Sequence, residues 1–206
     1  MTNTQFNGIA ASLPVPDIDT DTIIPIDYCI NRNRPNFDTA LFRSWRYHDD
    51  GSEKTEFFLN TDPYRETKVL ITGANFGCGS SREMAVWALI DFGIRCVIAP
   101  SFGEIFYNNC FQNNLLAARV SPEIATALSN TVDQAVGLVL NIDLKEKTIQ
   151  ASGSEMFHFE LDSLRSEMLS QGLDPVTATL TREAEINAFE ERDRVGRPWA
   201  HCVRTS

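Results

Sequence analysis

The feature that most constrains the fold of this chain is a strand, a glycine-containing loop, a helix and a second strand in immediate succession. The run K-V-L-I-T at 68–72 is β-branched and apolar, as in buried strands, and Gly73 ends it. Residues 81–92 carry apolar side chains at helical spacing, and Gly93 closes the helix. The run R-C-V-I-A-P at 95–100 predicts another strand. A βαβ unit of about 33 residues predicts an α/β fold with parallel strands.

The patterns on either side of that unit predict a mixed architecture. Residues 13–26 indicate a loop that enters a strand at 23–26, and residues 28–37 indicate an exposed loop. A helix is predicted at 38–47. After the βαβ unit the patterns predict a helix, a strand, a short helix, a meander of three strands and two further helices. In that order, these elements are predicted at 103–113, 115–120, 122–129, 136–142, 147–151, 156–161, 162–171 and 181–194.

Length and charge limit the classes of protein that remain. A chain of 206 residues predicts a single domain, 1–206, in which 181–206 form a peripheral helix and tail. The 18 basic and 28 acidic residues give a formal charge of −10, which weighs against nucleic-acid binding. The sequence has no apolar run that approaches the ~18 residues of a membrane span. It also has no leader in which a basic segment is followed by an apolar one. We therefore expect a cytoplasmic protein that contacts neither nucleic acid nor membrane.

The cysteines and histidines predict neither a disulfide framework nor a metal site. The number of cysteines is odd, and no two of them have C-x-x-C spacing. The histidines are scattered, without the spacing of paired metal ligands. We therefore expect that this chain alone binds no zinc ion and no iron–sulfur cluster. The residues concerned are Cys29, Cys78, Cys96, Cys110, Cys202, His48, His158 and His201.

The strongest local motif is N-F-G-C-G-S-S-R-E at 75–83, between the predicted strand and helix. Its glycines allow the backbone to approach a ligand closely. Either Ser80 or Ser81 is predicted to cap the helix, and Glu83 can complete a capping box. The N-terminal N–H groups of a helix favour an anion, and Arg82 adds a planar fork that suits a carboxylate or a phosphate. The motif predicts an anion-binding cradle that contains two hydroxyl groups.

Three familiar phosphate and nucleophile motifs do not fit this loop. A P-loop requires a Lys after the second glycine, and a dinucleotide fingerprint requires a third glycine where Arg82 stands. A nucleophile elbow requires G-x-S-x-G, which frames neither serine. A capped helix after a tight turn remains an alternative. Arg82 favours a functional loop, because a cation is unfavourable in the first turn of a helix.

Two further motifs carry less information alone. Asp17, Asp19 and Asp21 alternate, but the glycine and glutamate of a calcium loop are missing. They indicate either a polar loop or a carboxylate, Asp19 or Asp21, that holds an arginine. The run A-P-S-F-G at 99–103 opens a helix rich in Asn and aromatic residues. Amides are not favoured inside helices, which indicates hydrogen bonds to a neighbouring loop or subunit unless the helix simply has a polar face.

Together, three strings resemble a known family. They are D-T-D-x-I-I-P at 19–25, N-F-G-C-G-S-S-R-E at 75–83 and A-P-S-F-x-x-I-F at 99–106. In order and approximate spacing, over roughly residues 8–190, the chain resembles the small swivel-domain subunits of 3-isopropylmalate dehydratase in the aconitase superfamily. The resemblance implies a swivelling β/β/α domain with a mixed sheet core, a βαβ unit and peripheral helices.

The resemblance also implies a reaction and a partner. The reaction is the isomerisation of 2-isopropylmalate and 3-isopropylmalate, by dehydration and rehydration, in leucine biosynthesis. The partner is a separate large subunit, which forms a heterodimer with this chain and carries a [4Fe–4S] cluster on its own cysteines. This chain is then expected to bind no metal, and the hydro-lyase is expected to be active only as the pair.

Site residues are carried over by their positions in the matching strings. In the family, the first serine of G-S-S-R is the base that removes the carbon-bound proton, which implies Ser80 here. The arginine that binds a substrate carboxylate corresponds to Arg82, and the aspartate that closes D-T-D corresponds to Asp21. A loop arginine of the family corresponds to Arg34 or, as the second choice, Arg32. The resemblance thus implies Ser80 as the catalytic residue and, for substrate binding, Arg82, Ser81, Gly79, Arg34 and Asp21.

Some positions depart from the family pattern, and they leave alternatives open. Met84 stands where the family usually has a histidine, and the 28–36 loop, thought to sense the substrate's side group, is altered. One alternative is a related hydro-lyase for another hydroxy-diacid, of the citraconate/methylmalate or homoaconitate type. Another is a non-catalytic anion-binding module.

Overall fold

The strands of the protein belong to one mixed sheet. The structure is a computed structural model that describes residues 4–30, 37–151, 153, 155–173 and 175–201. Seven strands within these residues form the sheet, in the order β4-β3-β2-β1-β5-β6-β7. The strands are β1 (Gln5–Leu13), β2 (Thr67–Thr72), β3 (Cys96–Ala99), β4 (Leu116–Arg119), β5 (Val139–Asp143), β6 (Thr148–Ala151) and β7 (Met156–His158).

Helices precede, connect and follow the strands. Five of the helices described have nine residues or more and lie between or after the strands, and shorter ones fill the region between β1 and β2. The helices are α1 (Thr20–Ile23), α2 (Ile26–Ile30), α3 (Arg43–Arg46), α4 (Glu83–Phe92), α5 (Glu104–Gln112), α6 (Pro122–Asp133), α7 (Ser163–Gln171), α8 (Pro175–Leu180) and α9 (Glu183–Gly196). No helix in these described stretches combines the length and the apolar character that a membrane crossing requires.

The sheet changes from parallel to antiparallel at β1. That strand pairs in parallel with β2 and in antiparallel fashion with β5. On the first side, β2, β3 and β4 continue in parallel, and on the second, β5, β6 and β7 form an antiparallel meander. The predicted α/β class with a mixed sheet is therefore confirmed.

The predicted βαβ unit is present as β2, α4 and β3. Every residue of β3 is buried, as expected for a parallel strand that is covered on both faces. Helix α4 buries Ala85, Val86, Ala88 and Leu89 and ends at Gly93. The loops that leave the carboxyl ends of β2 and β3 emerge at one edge of the sheet, where ligands bind in open α/β sheets.

Two predictions before this unit are wrong. Residues 23–26 do not form a strand, because Asp19 accepts a hydrogen bond from the N–H of Thr22 and starts a helical turn there. The helix predicted at 38–47 is a 3₁₀ turn followed by the short α3. It is interrupted at Phe42, whose φ of 47° is left-handed.

The C-terminal region agrees with the prediction more closely. Asp162 caps α7 through the N–H of Arg165, and Gly172 ends it. Helix α9 has no buried residue. Helix α8 and strand β1 were not predicted, and most of the 28–37 loop lies outside the described residues.

Candidate active site

The motif at 75–83 is bound to the loop that follows β3. The N–H of Phe76 donates to the carbonyl of Ser101 at 3.1 Å, and the N–H of Gly103 donates back to Phe76 at 2.9 Å. The N–H of Asn75 also donates to Oγ of Ser101 at 2.8 Å. Two of the three strings that carry the resemblance are therefore joined at the carboxyl edge of the parallel strands.

The D-T-D string lies against the other side of the same loop. The N–H of Gly77 donates to the carbonyl of Ile18 at 2.7 Å, and the N–H of Thr20 donates to the carbonyl of Cys78 at 3.0 Å. Oγ1 of Thr20 donates to the carbonyl of Ser80 at 2.9 Å. A segment 60 residues before the loop and another 26 residues after it thus enclose the loop from two sides.

Gly77 is required where these segments meet. Its φ is +73°, and a Cβ at this position would lie 2.2 Å from Cγ of Phe106 in α5. Phe106 is itself buried and forms an edge-to-face contact with Phe76 at 5.3 Å between ring centroids. A side chain at Gly77 would therefore separate the loop from the helix that supports it.

The prediction that Ser80 or Ser81 caps α4 is wrong. The N-cap residue is Arg82, in extended backbone conformation, and its side chain makes no capping bond. The capping box is also absent, because Oε1 of Glu83 accepts instead from Nδ2 of Asn113 at 2.8 Å. Since neither serine hydroxyl is used to cap the helix and both residues are exposed, both remain on the surface of the loop.

Arg82 is held by the D-T-D string. Its Nη1 forms a short ion pair with Oδ1 of Asp21 and lies 3.3 Å from the carbonyl of Ile24. The Arg82 side chain is 12% exposed and that of Asp21 is 54% exposed. Both contacts use Nη1, so with respect to the described residues Nη2 and Nε keep their donors for an incoming anion. This agrees with the expectation that one of the two aspartates holds an arginine.

Hydrogen bonds and charge shift the pKa of groups around the loop. Hydrogen bonds from the side chain and backbone of Thr22 lower the pKa of Asp19, and the charge of Arg82 adds to this effect. Burial raises the pKa of the Cys29 thiol against an opposing effect of Arg82. Burial raises the pKa of the Cys78 thiol, and the nearby carboxylates, of which Asp19 has the larger effect, raise it further. Because thiolate is the reactive form, neither cysteine is activated as a nucleophile here.

The structure thus brings together Gly79, Ser80, Ser81, Arg82 and Asp21, which the sequence predicted as one site. Arg34 and Arg32 lie outside the described residues.

Two residues at the site were not predicted. Thr20 is 1% exposed and bonds to the serine loop. Asn113 joins Glu83 to Nε1 of Trp87, at 2.8 and 2.9 Å. The Asn-rich character of α5 was the available signal for Asn113, although its partners lie on helix α4 rather than on a loop.

The His, Cys, Asp and Glu side chains that the structure describes do not form a cluster site. No group of three or more His, Cys, Asp or Glu side chains suits a metal ion in the portion of the chain that the structure describes. The described cysteines are free thiols, and Cys96 and Cys110 lie in the core, where burial raises the pKa of both. Met84, where the resemblance predicts a histidine, packs against the core.

The fold and the loop define a class of protein that comparison with known families identifies. Residues 2–123 match the family model described as the aconitase C-terminal domain, so the chain belongs to that family. Its similar relatives include the 3-isopropylmalate dehydratase small subunit of Mesorhizobium japonicum, 44% identical over 197 residues (96% of this chain, 98% of the relative). The corresponding subunit of Roseobacter denitrificans is 43% identical over 196 residues (95% of this chain, 98% of the relative).

A solved structure supports the same grouping. A 3-isopropylmalate dehydratase structure from Methanocaldococcus jannaschii is 26% identical, with a TM-score of 0.63. The match covers 90% of this chain and 99% of that one.

Proposed function

We propose that this chain is the small subunit of a hydro-lyase that interconverts 2-isopropylmalate and 3-isopropylmalate by dehydration and rehydration, in leucine biosynthesis. Relatives that carry this subunit's name align with it over about 95% of its length, and the fold is shared. The name of these relatives also implies a large-subunit partner. The enzyme is therefore active as a complex of two different subunits.

The observation that carries this proposal is the arrangement around Ser80 and Arg82. One short loop presents an exposed serine and, two residues later, a mostly buried guanidinium that Asp21 holds from the side. A hydroxy-diacid needs a group that grips a carboxylate and a group that exchanges a proton with carbon. The loop supplies both within one turn of chain.

In the dehydration, Ser80 takes the proton from the carbon next to the one that loses its hydroxyl. A serine hydroxyl is a weak base at neutral pH, whereas its alkoxide is strong. The positive charge of Arg82 favours the anionic form, as donors favour a developing oxyanion. In the hydration, Ser80 returns the proton to carbon. Arg82 meanwhile holds a carboxylate through the donors that Asp21 leaves available.

The cofactor belongs to the partner in this proposal. A [4Fe–4S] cluster on the large subunit supplies the Lewis acid for the leaving hydroxyl. The described cysteines of this chain do not fit as its ligands, since two of them lie in the core and no three His, Cys, Asp or Glu side chains among the described residues form a metal-binding group. We further propose that residues 1–206 act as a single swivel domain, with 181–206 peripheral, and that the complex is a cytoplasmic heterodimer.

The side group of the substrate is the finer part of the proposal. Ser81 and Gly79 are proposed to line the substrate site, and Arg34, or otherwise Arg32, to reach it from the 28–36 loop. The first residues of that segment, 28–30, belong to α2, whose Cys29 lies within electrostatic reach of Arg82 and Asp21. A substrate bound to Arg82 would therefore lie near the start of the altered segment.

A substrate panel on the reconstituted pair tests the proposal. The wild-type chain is mixed with a cluster-bearing large subunit, and kcat/KM is measured for isopropyl-, methyl- and homoaconitate-type hydroxy-diacids. We expect the isopropyl-bearing acid to be preferred and each subunit alone to be inactive. Preference for a methylmalate or homoaconitate substrate would replace this substrate assignment, and a stable complex without dehydratase activity would contradict the enzyme assignment.

A further inference from the structure

Thr20 is a buried polar residue at the site for which the proposed chemistry gives no role. Thr20 is 1% exposed, although it belongs to the short surface helix α1. The next residue of that helix, Asp21, has a side chain that is more than half exposed. Buried hydroxyl groups require a hydrogen-bond partner, and Oγ1 of Thr20 donates to the carbonyl of Ser80 at 2.9 Å. The partner is the backbone of the residue proposed as the base.

A second hydrogen bond joins Thr20 to the same loop. The backbone N–H of Thr20 donates to the carbonyl of Cys78 at 3.0 Å. The carbonyl groups of the two residues that flank Gly79 are therefore fixed by one residue. Gly79 has no side chain to restrain it, and a Cβ there would lie 3.5 Å from Cβ of Asp19. Loss of the Thr20 hydroxyl would therefore free the carbonyl of Ser80, while the backbone bond to Cys78 would remain.

The two functions of the loop are held by different residues of that string. Asp21 holds the guanidinium of Arg82, whereas Thr20 holds the backbone of Ser80. Proton transfer depends steeply on geometry, and a displacement of about 1 Å can cost on the order of 100-fold in rate. Carboxylate binding by Arg82 does not depend on the Thr20 hydroxyl.

We propose that Thr20 is a positioning residue: its hydroxyl fixes the peptide of Ser80 so that the serine oxygen meets the carbon-bound proton of the substrate. The inference rests on the proposed function and adds a residue that affects kcat and leaves KM unchanged. The isosteric substitution Thr20→Val removes the hydroxyl and keeps the shape of the side chain. The conservative substitution Thr20→Ser keeps the hydroxyl.

The chain offers a matched control in Thr67. That residue is 0% exposed, and its Oγ1 donates to the carbonyl of Tyr64 at 2.7 Å. It lies at the first residue of β2, at the end of the strand remote from the loop. Thr67→Val therefore loses an equivalent buried hydrogen bond away from the site.

The experiment measures kcat, KM and assembly of each variant with the large subunit, together with the thermal midpoint of the complex. We expect Thr20→Val to lower kcat about 10- to 100-fold with KM within about twofold, and Thr20→Ser to restore kcat. Thr67→Val is expected to shift the midpoint similarly and to keep the wild-type kcat. If Thr20→Val folds poorly, Thr20→Ala and Thr20→Ser, which differ in the hydroxyl alone, give the same comparison.

The outcomes separate this inference from the proposed function. An inactive wild-type pair would contradict the proposed function itself. An active wild-type pair whose Thr20→Val variant keeps its kcat, or changes kcat and KM together as an assembly defect would, overturns the positioning role alone. Equal losses in Thr20→Val and Thr67→Val would assign the hydroxyl to stability only.

Discussion

Among single residues, Arg82 shows how one side chain can be both held and available. The Asp21 carboxylate accepts a hydrogen bond from Nη1 of the Arg82 guanidinium, and this carboxylate is half exposed to solvent. Because one partner is half exposed, the pair orients the guanidinium more than it stabilises the fold. Nη2 and Nε make no hydrogen bond to the described residues, so a carboxylate bound there, as proposed, would meet a guanidinium that is already oriented, at a lower entropy cost.

This arrangement predicts the effect of Arg82→Lys. A lysine keeps the charge but loses the planar fork, so it cannot bind Asp21 and a substrate carboxylate together. Loss of one charge-assisted hydrogen bond, about 1.5–3 kcal/mol, raises KM about 10- to 100-fold. Steady-state kinetics of the pair measures it. Arg65→Lys, at a surface pair with Glu53, is the control and should change KM less than twofold. An unchanged KM in Arg82→Lys would remove Arg82 from substrate binding.

At the same scale, Ser80→Ala removes the proposed base. Loss of a general base typically lowers turnover about 10²- to 10⁴-fold. The exposed serine makes no capping bond to α4, so the variant should keep its thermal midpoint and its affinity for the large subunit. Ser163→Ala, at an exposed serine in α7, controls for loss of an exposed hydroxyl. Turnover by Ser80→Ala at the wild-type rate would exclude the serine from proton transfer.

Among the elements, those with strong local signals were predicted and those made by distant contacts were not. The run 68–72 became β2 because its β-branched residues suit a buried strand. Strand β1, whose sequence is rich in Gly, Ala and Asn, has little local preference and is formed by pairing with both β2 and β5. Residues 23–26 look like a strand by composition, but the cap at Asp19 starts a helix instead.

The site shows the same division. Residue types within the 75–83 string predicted Arg82 and a cradle with two hydroxyls, and the 17–21 string predicted an aspartate that could hold an arginine. The family resemblance singled out Ser80. Spacing alone could not reveal Thr20, because its partner is 60 residues away in sequence and the bond is to a carbonyl, which every residue has. The predicted serine cap failed because Arg82, which Asp21 holds, is in extended backbone conformation, so α4 begins only at Glu83 and the N-cap position falls on Arg82.

The junction between the loop and α5 predicts a specific cost for Gly77→Ala. The substitution places a methyl group 2.2 Å from a carbon of Phe106 and requires a left-handed backbone. Overpacking of this kind costs about 1–3 kcal/mol in addition to about 1 kcal/mol for the backbone. Urea unfolding measures the free energy.

Gly172→Ala is the matched control for that substitution. Gly172 also has a left-handed backbone, at φ +64°, but nothing lies within 4 Å of its added Cβ. It should cost only about 1 kcal/mol. Equal costs for the two substitutions would show that the contact with Phe106 relaxes freely.

Helix α1 predicts a pH-dependent contribution from Asp19. In the folded chain, hydrogen bonds from Thr22 lower the pKa of this carboxyl below its ordinary value of 3.8. The capping bond therefore contributes fully above pH 3.8 and is lost as the pH falls through the lower folded-state pKa. Asp19→Ala should cost about 1 kcal/mol at neutral pH, and the difference from wild type should shrink as the pH falls below that range.

Unfolding by urea across this pH range measures the effect. Asp162→Ala removes the corresponding cap of α7 and serves as the control for position. It should destabilise the chain at neutral pH and leave the turnover of the pair unchanged, whereas Asp19→Ala should lower turnover as well. A difference in stability that persists unchanged in acid would contradict the role of the ionised carboxylate.

In the whole molecule, the site is a surface feature of the sheet edge. The three strings converge where β2 and β3 end, and both serines of the loop face outward. In the proposed function, the described residues supply a proton-transfer group and an anion-binding group, and a partner surface supplies the Lewis acid. An open site of this kind fits a subunit whose relatives work as part of a dehydratase.

The most direct test is the replacement of wild-type chain by Ser80→Ala in complexes with a fixed amount of large subunit. Total small subunit is kept constant and saturating, and turnover of 2-isopropylmalate is measured as the variant fraction rises. Because the variant assembles but does not transfer the proton, turnover should fall in proportion to its fraction and approach zero, with each subunit inactive alone. Turnover that stays constant across the series would contradict the account, as would activity of the wild-type chain without its partner.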